Sequence, residues 1–247
     1  MANKKAVISM SGGLDSTCLA LHLLSQGYEV RAYAFDYGQK HNIELEVLEE
    51  NIKFLSITKK LPITLQVINL RDVFSDSCSS LTGKGNIPKG DYNDSNMKST
   101  VVENRNIIFS SIIYGKALSW AKENREHVEI TLGIHSGDHS LYPDCSAESQ
   151  EMARNLFKIS NWDSELVDYV APFVYYTKAK VLHEGLTAMA NLDMSEKDVD
   201  FILYHTHSCY DPDEFGRSCG LCGTCKERLD AFGKNGVKDP VEYRTRN

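Results

Sequence analysis

Residues 5–16 read KAVISMSGGLDS, and this stretch decides the fold. Lys5 to Met10 form a mostly apolar run, long enough for a buried strand. Ser11-Gly12-Gly13 breaks it, and Leu14 to Ser25 follows with Leu19, Leu23 and Leu24 at helical spacing. A strand, a glycine turn and a helix in that order open a βαβ unit. Two glycines let the backbone turn tightly and approach a ligand. The free N–H groups and positive dipole end of the helix, with Ser11, Asp15 and Ser16 around them, make a cradle suited to phosphates. The loop lacks the Gly-Lys-Ser/Thr ending of a Walker A motif and is not GxGxxG. The plainer reading is a tight turn in which Asp15 or Ser16 caps the helix.

Outward from this unit the same alternation continues. Gly27 stops the first helix, and Glu29 to Phe35 is a second strand. Asn42 is expected to cap a helix running to about Ile57, before a strand over Ile63 to Leu70. A helix over Asn106 to Lys122 and a strand over Val128 to Ile134 follow. A loop spans His135 to Cys145, and a helix begins near Ser146. Tyr169 to Val174 is a short strand, and Thr177 caps a helix reaching Met189. The expected class is therefore α/β, with a doubly wound, mostly parallel sheet. Residues 75–100 are poor in large apolar side chains and read as a structureless mobile insertion or lid. From Thr206 onward the chain is turn-rich.

The 247 residues are 42% apolar and 25% charged, which supports a packed core. A net charge of −7 does not advertise a nucleic-acid surface. No apolar run approaches the length of a membrane span, and the N-terminus lacks a signal-peptide core, so a cytoplasmic protein is expected. Of seven cysteines, four crowd into residues 209–225 as Cys209-x9-Cys219-x2-Cys222-x2-Cys225. In a reduced compartment such clustering reads as a metal site rather than a disulfide framework. Four thiolates with no open position fit structural zinc. An iron–sulfur cluster is the rival, and His205 or His207 could replace one cysteine.

Ser-Gly-Gly-x-Asp-Ser after an N-terminal strand resembles the pyrophosphate loop of the N-type ATP pyrophosphatases, the PP-loop superfamily. That resemblance implies an adenine nucleotide alpha-hydrolase-like fold, ATP split between its α and β phosphates, and magnesium. Further residues narrow it. Phe35-Asp36-Tyr37-Gly38-Gln39, Asn104-Arg105-Asn106, Tyr142-Pro143-Asp144-Cys145, Lys178, Ser208-Cys209-Tyr210-Asp211-Pro212-Asp213 and the cysteine tail resemble the 7-cyano-7-deazaguanine synthase family, in order from Val7 to Pro240. The resemblance implies adenylation of 7-carboxy-7-deazaguanine, amidation by ammonia, then a second adenylation that leaves the nitrile, a queuosine precursor. Met10, Ser11, Gly12, Gly13, Leu14, Asp15, Ser16, Phe35, Tyr37 and Gln39 would bind ATP. Asp15, Ser16, Arg105 and Lys178 would be catalytic, and Arg105, Asn106, Asp138, Tyr142 and Asp144 would bind the deazaguanine. Cys209, Cys219, Cys222 and Cys225 would hold zinc. Residues 1–200 would form the ATP pyrophosphatase domain and 201–247 a zinc element, in a homodimer.

Three departures from the family pattern stand out: Glu103 replaces a proline, His207 replaces a tryptophan, and residues 135–145 diverge. They raise a second reading, in which the same adenylated carboxylate is joined to a protein amine, as in anti-phage conjugation. The extra histidines at 135, 139 and 207 would then be candidate bases. A tRNA thiolase would need a working thiol, Cys145 or Cys18, and a basic surface. An amidotransferase would need a glutaminase domain for which no residues remain. A nucleotide sensor would bind ATP without forming AMP. A zinc-ribbon nucleic-acid binder would show basic residues around its cysteines, where basic and acidic residues are instead balanced.

Overall fold

The computed structural model describes residues 4–40, 43–83, 85–88, 95–135 and 142–244. Five strands, β1 (Lys4–Ser9), β2 (Tyr28–Asp36), β3 (Ile63–Asn69), β4 (Val128–Thr131) and β5 (Val167–Val170), form one sheet in the order β3-β2-β1-β4-β5. All four pairings are parallel. The expected doubly wound α/β fold is the one observed. After β3 the chain returns to the far side of β1. The switch in winding direction therefore lies between β1 and β4, where open α/β sheets bind ligands at the carboxyl edge.

Central β1 is covered on both faces, which is why Ala6, Val7 and Ile8 are all inaccessible to solvent. Ala6 and Ile8 face one core with α1 (Leu14–Ser25), α2 (Ile43–Lys53) and α5 (Lys178–Asn191). Val7 faces the other, with α3 (Arg105–Asn124) and α4 (Ala147–Ser160). The α1–α5 crossing is close because Gly185 has no side chain. A Cβ there would lie 2.4 Å from Cys18 Sγ. Cys18 is thus wedged between two helices, and burial pushes its thiol far above the ordinary range. That removes it as a working nucleophile.

Several boundaries differ from expectation. α2 stops at Lys53, and residues 54–58 form one wide π turn before β3. The Asn42 cap lies outside the described residues. β4 ends at Thr131, and β5 runs from Val167 to Val170 rather than from Tyr169 to Val174. Nor is the segment after β3 structureless. Asp72–Phe74, Ser80–Thr82 and Ser95–Thr100 are 3-10 turns, and Phe74, Ser79, Ser80, Leu81 and Thr100 are buried. Two further helices are present, α6 (Glu196–Tyr204) just before the turn-rich tail and α7 (Gly223–Lys234) within it. A capping box between Ser195 and Asp198 starts α6.

α7 joins the cysteine segment to the first core through Ala231 and Phe232. Its Arg228, 1% exposed, makes a bidentate pair with Asp239 (2.8 and 3.0 Å) and donates to Thr206 Oγ1 at 2.8 Å. Each nitrogen of that buried guanidinium finds an acceptor, which a charge needs away from water.

Candidate active site

The loop after β1 is held before any ligand arrives. Ser16 Oγ accepts from Ser11 N–H at 3.2 Å and donates to the Gly13 carbonyl at 3.3 Å, while Gly13 N–H donates to Ser11 Oγ. Gly13 is the N-cap of α1, and no side chain caps the helix. The plainer reading of Asp15 or Ser16 as a cap is therefore incorrect. Ser16 ties the loop to itself, so the first-turn N–H groups stay available to an anion.

Gly12 turns at φ +79°, and a Cβ there would sit 2.1 Å from the Glu44 carbonyl oxygen. His207 N–H also donates to the Gly12 carbonyl at 2.9 Å. The turn is thus clamped between the start of α2 and the C-terminal segment. Gly12→Ala is expected to cost about 3 kcal/mol or more, since it combines a left-handed backbone with a clash against backbone that cannot swing away. Thermal denaturation reads the first effect and AMP formation the second. An alanine variant of native melting temperature and activity would contradict the clamp.

Beside the loop lies a buried charge cluster. Lys178 Nζ donates to Asp15 Oδ2 at 2.8 Å and to Glu227 Oε2 at 3.3 Å, and lies 3.5 Å from His135 Nε2. Thr177 caps α5 as expected, so Lys178 leaves the first helical turn aimed at Asp15. Burial alone would raise the Asp15 carboxyl, but Lys178 and His135 outweigh it and hold it far below the usual range. Asp15 Oδ1 is buried without a hydrogen-bond partner. An orphaned carboxylate oxygen beside a phosphate cradle fits a magnesium ion carried in with a nucleotide.

A cavity of about 250 Å³ opens over this edge of the sheet. Met10, Ser11, Gly13, Asp15, Ser16, Phe35, Tyr37, Gln39, Arg105, Asn106, Tyr142 and Lys178 all line it, so most of the residues singled out in the sequence meet there. Gly12, Leu14 and Asp144 do not line it. Leu14 is fully buried in the core, and Asp144 contacts Cys145 Sγ and Gln150 instead. Asp138 lies outside the described residues. Asn104, in a left-handed conformation, sets the entry into α3 and places Arg105 at its first position. Arg105 Nη1 lies 3.5 Å from Tyr37 Oη, and its guanidinium sits 5.7 Å from that ring's centre. Tyr142 Oη in turn meets Thr100 Oγ1 at 3.0 Å and Tyr210 Oη at 3.4 Å.

The sequence reading missed Glu44, which also lines the cavity. Burial raises its carboxyl to about 7, with Arg105 opposing. The signal was present in the sequence, since Glu44 opens α2 directly after the Phe35–Gln39 motif. Tyr210, Ser208 and Thr224 of the C-terminal segment complete the wall.

The four cysteine sulfurs lie within 4.8 Å of one another, all buried. A tetrahedral zinc ion with Zn–S bonds of about 2.3 Å needs sulfurs about 3.8 Å apart. Cys219 and Cys225 stand at 3.9 Å. Backbone N–H groups of Asp211 and Cys219 point at Cys209 Sγ, and those of Leu221 and Cys222 at Cys219 Sγ, as thiolates require. Neither histidine substitutes: His205 Nδ1 meets the Phe201 carbonyl, and His207 Nε2 meets that of Cys209.

The family model described as queuosine biosynthesis protein QueC matches residues 5–236. A 7-cyano-7-deazaguanine synthase from Marinomonas sp. (strain MWYL1) is 39% identical, covering 98% of this chain and 99% of its own length. That from Caldicellulosiruptor bescii is also 39% identical, over 97% of each chain. Among solved structures, NMN synthetase from Francisella tularensis matches with a TM-score of 0.43 at 12% identity, covering 96% of this chain and 79% of that one. A nearly unbroken match at this identity is more than a shared loop, and the chain belongs to the QueC family of 7-cyano-7-deazaguanine synthases.

Proposed function

We propose that this protein is an ATP-dependent ligase that converts 7-carboxy-7-deazaguanine and ammonia into 7-cyano-7-deazaguanine in the cytoplasm, with release of AMP and pyrophosphate. One observation carries the mechanism: the pre-tied loop at residues 11–16, the Asp15–Lys178 pair and Arg105 face a single cavity. Ser11, Ser16 and the N-terminus of α1 hold the pyrophosphate portion of ATP, where negative charge grows as the α–β bond breaks. Lys178 neutralises part of that charge while keeping Asp15 ionised and aimed at the magnesium that accompanies the nucleotide. Phe35, Tyr37 and Gln39 flank the rest of the nucleotide.

Arg105, braced by Tyr37, orients the deazaguanine carboxylate against the α-phosphate. Attack of the carboxylate oxygen gives an acyl adenylate. Ammonia then adds and loses a proton as AMP departs, leaving the amide. Glu44, poised near neutrality, is the cavity group suited to take that proton. A second ATP adenylates the amide oxygen, releasing pyrophosphate and one nitrogen-bound proton, and departure of AMP with loss of the other nitrogen-bound proton gives the nitrile. Residues 1–200 supply this chemistry, while 201–247, with zinc on the four cysteines, close the cavity wall. Zinc held by these four thiolates would be structural, since such a ligand set leaves no open position.

Glu103, His135 and His207, among the departures from the family pattern, find packing roles, while residues 136–141, with His139, lie outside the described residues. Glu103 accepts from Ser77 Oγ at 2.7 Å and from Cys78 N–H. His135 and His207 are buried among hydrogen-bond partners. None of these contacts favours a protein amine over ammonia. The test is a reaction of purified protein with magnesium-ATP, ammonium and 7-carboxy-7-deazaguanine, followed by mass spectrometry. Nitrile appearing together with AMP is expected. AMP or adenylated base without nitrile would move the acceptor to another amine, and no AMP at all would overturn the adenylation reading.

A further inference from the structure

Among the described residues, three groups converge on the Lys178 ammonium: Asp15 Oδ2 at 2.8 Å, Glu227 Oε2 at 3.3 Å and His135 Nε2 at 3.5 Å. They come from three different parts of the fold. Asp15 lies in the first turn of α1 and lines the cavity, whereas His135, just beyond β4, and Glu227, on α7, do not. Glu227 therefore stands outside the space open to ATP and the deazaguanine, yet its carboxylate meets a group that faces that space.

The sequence of α7 aims this carboxylate. Thr224, Glu227, Arg228 and Ala231 recur at helical spacing and share one face. Thr224 lines the cavity, Arg228 is locked to Asp239, and Ala231 is buried in the core. At the end of the helix, Asn235 Nδ2 donates to the Ala179 carbonyl at 2.9 Å. α7 thus grips the start of α5 at two successive residues, Lys178 through its charge and Ala179 through its backbone. With α7 fixed at Arg228 and Asn235, the Glu227 carboxylate does not follow the ammonium if it moves.

Lys178 needs a fixed anchor of this kind. Its side chain turns about several bonds, and a single ion pair leaves much of that freedom. Asp15 is a poor sole anchor, because its other oxygen is the orphan that fits magnesium. A dication drawn to that carboxylate repels the ammonium beside it. A second carboxylate, outside the cavity, opposes that push.

We propose that Glu227 is a positioning residue for adenylation, holding Lys178 in place from α7 while Asp15 turns to the metal-bound nucleotide. This rests on the catalytic role of Lys178 given above. Glu227 touches no reacting atom, so its loss is felt where the placement of Lys178 matters most. That is the transition state, as charge grows on the leaving pyrophosphate, rather than the binding of ATP.

A double-mutant cycle between Lys178 and Glu227 tests this, read once by AMP formation and once by urea denaturation without ligand. Glu227→Gln keeps the volume and removes the charge. It is expected to lower kcat about 10- to 100-fold, with KM for ATP changed less than about twofold. Melting temperature and metal content should stay native. In the Lys178→Met chain the same substitution should lower kcat no further, and it should recover part of the urea midpoint that Lys178→Met loses. Lys178→Met with wild-type turnover would sink the role of Lys178 and this proposal with it. An inactive Lys178→Met beside a Glu227→Gln of wild-type kcat would overturn this proposal alone. So would a raised KM at unchanged kcat, an equal loss of kcat with Lys178 already gone, or a urea midpoint that Glu227→Gln does not restore.

Discussion

Lys178→Met is expected to lower turnover by about 1000-fold or more, because it removes a fixed cation beside the phosphate cradle. It should also destabilise the protein. The Lys178 side chain is 6% exposed, and it leaves behind Asp15 and Glu227, two carboxylates that had shared one ammonium. Breaking one side of a buried pair costs about 3 kcal/mol. Asp15→Asn in the same chain removes one of the two stranded charges, so the double variant should regain part of that stability without regaining activity. Chemical denaturation and AMP formation separate the two effects. A double variant as unstable as Lys178→Met, or one that turns over, would show that the pair does something else. Acid sensitivity gives an independent check. Burial raises the Asp15 carboxyl, but Lys178 and His135 more than reverse it, so its folded pKa lies below the unfolded one. Its stabilisation is therefore complete above the unfolded value, about 4, and drains away as pH falls toward the folded one. Stability of Asp15→Asn should accordingly fall less steeply than wild type between about pH 4 and pH 2.

That pair also marks how far the sequence could be read. Asp15 declared itself locally through the glycine loop, while Lys178, at the start of the helix that Thr177 caps, was singled out by the family resemblance. Their contact joins α1 to α5 and has no local signature. Strands β1 and β2 were legible because β1 is buried on both faces and Gly12 and Gly27 punctuate the chain. α6 and α7 were not. Ser195 and Asp198 form a capping box with Asp where Glu or Gln is usual. Gly223 and Gly233 interrupt the apolar period of α7, whose first turn is set by Cys222 and Cys225. Residues 75–100 misled for a different reason. Their turns are held by hydroxyl contacts such as Ser79 with Leu81 N–H, so polarity there meant local hydrogen bonding rather than lack of structure. Leu14 was drawn into the site by position in the motif, although a helix sends its successive residues to different faces.

Loss of the four-cysteine site is the second large expected effect, and it should reach the ATP loop. Metal analysis should find one zinc per chain and no iron absorption, and Cys222→Ser should lose the metal. Structural zinc in small domains is worth about 10 kcal/mol or more, so a loss of roughly 3 kcal/mol is a low expectation here. For a chain of this size that is a fall of about 6–12 °C in melting temperature. The route to the active site is short. His207, two residues before the first ligand, donates its N–H to the Gly12 carbonyl, and Tyr210, one residue after it, meets Tyr142 across the cavity. Ser208, Cys209 and Thr224 are themselves cavity wall. Releasing the thiolates frees the segment that closes the loop from above, so AMP formation should fall with the metal even though no cysteine touches a reacting atom. Arg228 and Asp239 tie the far side of the same element to α6 and Thr206, which should keep α7 folded and confine the damage to residues 206–222. Hydrogen exchange would then show lost protection there and at Gly12, with the α1–α5 crossing unchanged. A metal-free variant that kept its melting temperature and its AMP formation would mean that the C-terminal element merely sits beside the cavity and does not support it.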